Sequence, residues 1–143
     1  MGKTSNILSK EISYDSVGDM DILKFISAIR EGIKYNFFTN YAKKSPFTIP
    51  EWSYFLNISE RTMQRYKKES RTFDSQQSER IVQIALLYSF GVKTFGNKTK
   101  FNSWLETENL ALGHVKPKEL LDNSFGINLL KDELTRIENG ILA

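Results

Sequence analysis

Thr48-Ile49-Pro50-Glu51-Trp52-Ser53-Tyr54-Phe55-Leu56, then Asn57-Ile58-Ser59, then Glu60-Arg61-Thr62-Met63-Gln64-Arg65-Tyr66-Lys67-Lys68-Glu69-Ser70: the reading of this stretch decides the fold. Thr48 and Glu51 are spaced as a capping box, in which a threonine hydroxyl and a glutamate three residues on satisfy each other's backbone amides. Pro50 falls in the first turn, where its missing donor costs nothing. Trp52, Phe55 and Leu56 then give an apolar stripe that ends around 56–57. Ser59 caps the next helix, expected over 60–70. On a wheel of 100° per residue, Met63 and Tyr66 share one side. Arg61, Gln64, Arg65 and Lys68 fall on the other. Two short helices joined by three residues make a helix-turn-helix. The turn holds no glycine, and Glu60 and Glu69 flank the basic side.

A helix that packs by one face and shows Arg, Gln and Lys on the other suits the major groove of DNA. Arg pairs with guanine edges, Gln with adenine, and Lys with phosphate. Ser59 and Thr62 stand where further phosphate contacts are made. The competing reading is an ordinary solvated helix face with a few cations. The capped helix and short turn in front of it weigh against that.

The rest of the chain repeats the helical pattern. Ile22, Phe25, Ile26 and Ile29 predict a helix from Asp19 or Asp21 to near Gly32. A second is expected over 36–43, stopped by Pro46. Asp74 and Gln77 form another capping box and open a long helix running toward Phe95, with Gly91 weakening its end. A shorter helix over 100–105 carries Phe101 and Trp104. Pro117 starts a brief helical turn. A final helix over 124–139 carries Ile127, Leu130, Leu134 and Ile137, with Gly140 placed to end it. No segment alternates with period two, so the expected class is all-α. Residues 1–18 are polar and read as a flexible arm.

Charge and composition exclude several functions. The net charge is +3, with no Cys and one His. A disulfide framework, a Cys-based zinc site and a Cys nucleophile are therefore out. His114 lies beside Gly113 without obvious partners, and reads as a turn residue rather than a base or ligand. No phosphate-cradling glycine loop is present. No cofactor and no metal site are expected, and the chain reads as a binder rather than an enzyme. No apolar run reaches the roughly 18 residues that a membrane span requires. Between Tyr41 and Arg71, Lys43, Lys44, Arg61, Arg65, Lys67, Lys68 and Arg71 outnumber Glu51, Glu60 and Glu69. From Glu106 onward seven acidic residues face four basic ones. A basic middle and an acidic end imply two surfaces with different partners.

The acidic end carries its own pattern: Gly113 for a sharp bend, Pro117 opening a turn, and Leu120-Leu121 anchoring it. Spacing alone reads this as a helical hairpin completing the core. Taken with Ile29-Arg30-Glu31-Gly32-Ile33, Ile58-Ser59-Glu60-Arg61-Thr62-Met63-Gln64-Arg65, Trp104-Leu105, Ala111-Leu112-Gly113, Pro117-Lys118-Glu119-Leu120-Leu121-Asp122, Phe125-Gly126 and Arg136-Ile137-Glu138-Asn139-Gly140, the order of segments resembles the Xre/MbcA/ParS antitoxins of type II toxin–antitoxin systems. The resemblance runs from Asp21 to Ala143. Where the family has a second glycine, this chain has His114.

The resemblance implies a helix-turn-helix domain over 19–97 and a toxin-binding domain over 98–143. It implies a cytoplasmic homodimer that neutralises a cognate toxin, of the RES type that attacks NAD, and represses its own operon by binding operator DNA. The expected DNA-binding residues are Ser59, Arg61, Thr62, Gln64, Arg65 and Lys68. The expected toxin contacts are Arg136, Glu138, Asn139, Ile141 and Leu142. Gly113, Pro117, Leu120, Leu121, Gly126 and Gly140 take structural roles. Two alternatives remain open: a stand-alone dimeric regulator whose C-terminal half only dimerises, and an interaction module with a vestigial helix-turn-helix.

Overall fold

Seven α-helices order the chain in a computed structural model that describes residues 6–9 and 19–140. They are α1 (Asp19–Glu31), α2 (Tyr35–Ala42), α3 (Ile49–Phe55), α4 (Glu60–Glu69), α5 (Ser75–Phe95), α6 (Lys98–Glu106) and α7 (Ser124–Glu138). Short 3-10 turns occupy Asn6–Ser9, Leu110–Leu112 and Pro117–Leu120. Two isolated bridges, Lys34 with Thr72 and Asn109 with Val115, are the nearest approach to a strand among the described residues. The all-α expectation holds. Within the stretch expected as an arm, the 6–9 turn puts Leu8 into the core. The remainder of that arm lies outside the described residues.

Five of the seven helices, α3 to α7, start at a residue whose side chain caps them, whereas α2 starts at Lys34 without one. The Thr48 hydroxyl accepts from the Glu51 amide at 3.2 Å, and the Thr48 amide donates to Glu51 Oε1 at 2.9 Å. Asp74 and Gln77 close the same reciprocal pair at 2.7 and 3.0 Å. Asn97 and Asn123 cap α6 and α7 through their side-chain oxygens. Such caps satisfy amides that a helix start leaves bare, each worth about 1 kcal/mol.

The long α5 is the spine. Ile81, Ile84, Ala85 and Leu87 are buried along it, with α1, α6 and α7 packed against it. Gly91 does not end the helix, which continues to Phe95. It is a packing site: a Cβ there would overlap Cζ of Phe101. The Phe101 ring thus seats on bare backbone, and Phe95 and Trp104 stack around it. Under the helix-turn-helix, Trp52 meets Phe38 edge-on with ring centroids 5.2 Å apart, and Phe38 meets Phe73 at 5.1 Å. Buried side chains from Leu8 to Leu134 form one continuous core.

Candidate DNA-binding and partner-binding surfaces

The helix-turn-helix is built by α3, the turn 56–59, and α4. Without a glycine the turn still needs one left-handed residue, and Asn57 supplies it at φ 58°. Asn is among the few L residues that enter this region routinely. The Ile58 amide donates to the Ser53 carbonyl at 3.1 Å and closes the turn. Arg80, reaching from α5, donates to the Phe55 carbonyl at 3.0 Å. That sets a cation at the negative end of α3. Met63 is fully buried beneath α4 and Tyr66 is half-buried.

Arg61, Gln64, Arg65 and Lys68 are all exposed on the outer side of α4. Among the described residues no ion pair holds Arg61, Arg65 or Lys68. Glu69 is engaged: its carboxylate takes Arg71 at 3.2 Å, and that guanidinium lies over the Tyr66 ring. Ser59 is exposed and Thr62 half-buried. The Ser59 hydroxyl accepts from the Thr62 amide and donates to the Thr62 hydroxyl, so both side chains hold the helix start.

The acidic C-terminal block is fastened to the helix-turn-helix. The Tyr54 hydroxyl donates to the Glu119 carbonyl at 2.9 Å, and the Asn57 side-chain amide donates to the Asp122 carbonyl at 3.2 Å. Gln83 of α5 reaches the Ser124 hydroxyl. At the centre, Lys118 Nζ sits 2.6 Å from Glu51 Oε2 and 2.7 Å from Glu106 Oε2. Glu51 thus works twice, one oxygen capping α3 and the other gripping Lys118. Burial would raise the Glu51 carboxyl, but hydrogen bonds from Lys118 and the Thr48 backbone outweigh it and hold it below the usual carboxylate range. Hydrogen bonds to Glu106 and Glu51 push the Lys118 ammonium up.

Within the block, Gly113 takes φ 84° and His114 takes φ 66°, so the histidine adopts the left-handed conformation in the place of the family's second glycine. Its amide donates to the Asn109 carbonyl at 2.9 Å. Pro117 and Leu121 are buried and Leu120 half-buried. At Gly126 a Cβ would overlap the Leu120 carbonyl oxygen, so α7 starts hard against that turn. Gly140 ends the chain's last helix at φ 70°.

Arg136, Glu138 and Asn139 are exposed in the last turn of α7 and beyond it. Ile141 and Leu142 lie outside the described residues. Arg136 is not a free cation: its Nε and Nη2 reach Glu133 Oε1 at 3.2 and 2.5 Å. The Glu133 carboxylate is itself buried, and Asp132 beside it is exposed. Sequence reasoning passed over Tyr54, Asn57, Arg80 and Lys118, whose roles depend on contacts dozens of residues away. Tyr54 left one signal, an aromatic on the outward side of a short amphipathic helix. Among the described residues no cluster of three or more His, Cys, Asp or Glu is placed to hold a metal, and no helix is long and apolar enough to cross a membrane.

Comparison with known proteins matches this layout. The antitoxin Xre-like helix-turn-helix domain matches residues 24–86, and the antitoxin Xre/MbcA/ParS C-terminal toxin-binding domain matches residues 91–140. A curated relative from Yersinia enterocolitica serotype O:8 / biotype 1B (strain NCTC 13174 / 8081), named Antitoxin Xre, is 30% identical over 87 residues. That alignment covers 60% of this chain and 59% of the relative, so the chain spans little more than half of the relative's length. Two defining domains, matched in order on one continuous core, place this chain in the Xre/MbcA/ParS antitoxin family.

Proposed function

We propose that this chain is a cytoplasmic antitoxin with two working surfaces. Residues 98–143 cover a cognate toxin's active site or its entrance, and α4 within residues 19–97 docks in the major groove of the operator. The observation that carries the reading is the open basic face of α4 on a module welded to a segment matched as toxin-binding. The chain acts by occupancy, as a homodimer that represses its own operon, and the toxin is of the RES type that attacks NAD. Arg136, Glu138, Asn139, Ile141 and Leu142 contact the toxin. Arg61, Gln64 and Arg65 read bases, and Lys68 holds phosphate.

Coexpression with the product of the neighbouring gene tests the first surface: that product should arrest growth alone, and this chain should restore it. No rescue and no recovered complex would remove the antitoxin reading and leave the stand-alone regulator. For the second surface, Arg61→Ala and Arg65→Ala should each weaken operator binding by about 1–3 kcal/mol. Lys68→Ala should flatten the slope of log K against log salt by about one unit, as one phosphate contact disappears. A titration of fluorescent operator DNA at several salt concentrations reads both effects.

A further inference from the structure

Phe125 is 90% exposed, although it stands in the first turn of a well-packed helix. A single exposed apolar side chain is ordinary. Phe125 differs in how its backbone is held. Asn123 Oδ1 accepts from the Gly126 amide at 2.7 Å, and the Gly126 Cα lies against the Leu120 carbonyl with no room for a Cβ. Gln83 holds Ser124 from the other side. The ring is therefore presented to solvent on a fixed support. Such an anchor loses little freedom on binding.

It is also not isolated. Leu129, one turn on, is 43% exposed, and the positions that continue this stripe are Asp132, Arg136 and Asn139. The opposite face, with Ile127, Leu130, Glu133 and Leu134, is buried against the fold. The open stripe runs from an apolar end to a charged end over about 21 Å, at 1.5 Å per residue. That length fits within one interface of standard size, about 800 Å² on each partner.

We infer that Phe125, flanked by Leu129, is the apolar anchor of the toxin-binding surface, filling a socket on the toxin about 17 Å from the contact made by Arg136 and about 21 Å from that made by Asn139. This rests on the reading of the C-terminal segment as toxin-binding, since both residues lie inside the matched span 91–140. Charge names the occupant's chemistry further. From Glu106 onward seven acidic residues face four basic ones, with Asp132 on the stripe and Glu138 exposed in the last turn of the same helix. The partner is then a protein with an apolar socket and a basic rim, and nucleic acid does not fit such a face.

The test uses the full chain and the purified product of the neighbouring gene. Wild type, Phe125→Ala, Phe125→Glu and Leu129→Glu are compared by calorimetry and by growth rescue. Phe125→Ala should weaken the complex by about 10- to 100-fold, as loss of an aromatic anchor does. Phe125→Glu should abolish rescue, with melting temperature and operator affinity unchanged. If wild type binds and Phe125→Glu binds as tightly, the anchor is disproved while the antitoxin reading stands. If Phe125→Glu instead splits a dimer in sedimentation and leaves toxin affinity intact, the stripe is a self-association face and the inference falls. If wild type itself neither binds nor rescues, both readings fall together.

Discussion

Among the described residues three that are not glycine, Asn57, Ser70 and His114, hold left-handed backbone conformations. For an L residue this costs roughly 1–2 kcal/mol. Asn57 recovers part of it through its bond to the Asp122 carbonyl. Among the described residues the side chains of Ser70, the C-cap of α4, and His114 have no hydrogen-bond partner that a glycine would lose. Glycine at either site relieves the strain but adds about 0.4–1 kcal/mol of unfolded-state entropy. Ser70→Gly and His114→Gly should therefore each stabilise by about 0.5–1 kcal/mol, while Asn57→Gly should gain nothing. Thermal melts of the three variants would check the ordering.

Arg136 is the residue where function and stability are most easily confused. Removing it strands the buried Glu133 carboxylate, so Arg136→Ala should destabilise by about 2 kcal/mol. A loss of neutralisation in that variant would not by itself locate a toxin contact. The double variant Glu133→Gln with Arg136→Ala should recover part of the melting temperature. Neutralisation that stays lost in the double variant marks Arg136 as a contact in its own right.

At the scale of elements, glycines set the spacing of helices on the spine. Gly91 and Gly126 each face a neighbour nearer than any Cβ tolerates, but the neighbours differ. At Gly91 it is the Phe101 side chain, which turns at some cost. At Gly126 it is the Leu120 backbone, which has no such freedom. Overpacking of this kind costs about 1–3 kcal/mol, occasionally more. Gly91→Ala should fall near the upper figure, because the Phe101 ring is fully buried among Phe95 and Trp104, and Gly126→Ala should exceed it, measured by urea denaturation. Gly126→Ala should also shift α7 off the 117–120 turn and so weaken toxin binding more than operator binding.

At the scale of the whole molecule, the Glu51–Lys118–Glu106 bridge joins the two matched domains, and its pH dependence has a defined sign. The folded Glu51 carboxyl is depressed below 4.5, so its contribution is present above that pH and lost as pH falls through the folded value. Lys118 is raised above 10.5, so its contribution is complete below that pH and lost only as pH rises through the raised value. The bridge is therefore intact across the neutral range and opens in acid. Glu51→Gln should flatten the acid limb of the stability–pH curve and leave the alkaline limb set by Lys118 and Glu106. Equal acid limbs in wild type and variant would remove the bridge from the stability of the joint.

What the sequence determined by itself is local. Thr48 with Glu51, Asp74 with Gln77, and Ser59 with Thr62 each act within three residues, so the helix starts are written where the pairs occur. The basic side of α4 follows from 100° per residue once Met63 is turned inward. Gly140 and Pro117 mark a stop and a start for equally local reasons. Only the tertiary structure decided that Gly91 is a seat for Phe101 rather than a weak helix end, and that Glu133 is inside while Asp132 is outside. It alone brought Glu119 and Asp122 to Tyr54 and Asn57, each pair 65 residues apart in the chain. A cap is a contact between near neighbours, and its residues announce it. The helix-turn-helix over 48–70 is assembled from contacts of that kind. Its bond to the C-terminal block depends on how α6 and α7 settle on α5, a packing choice that no short spacing encodes.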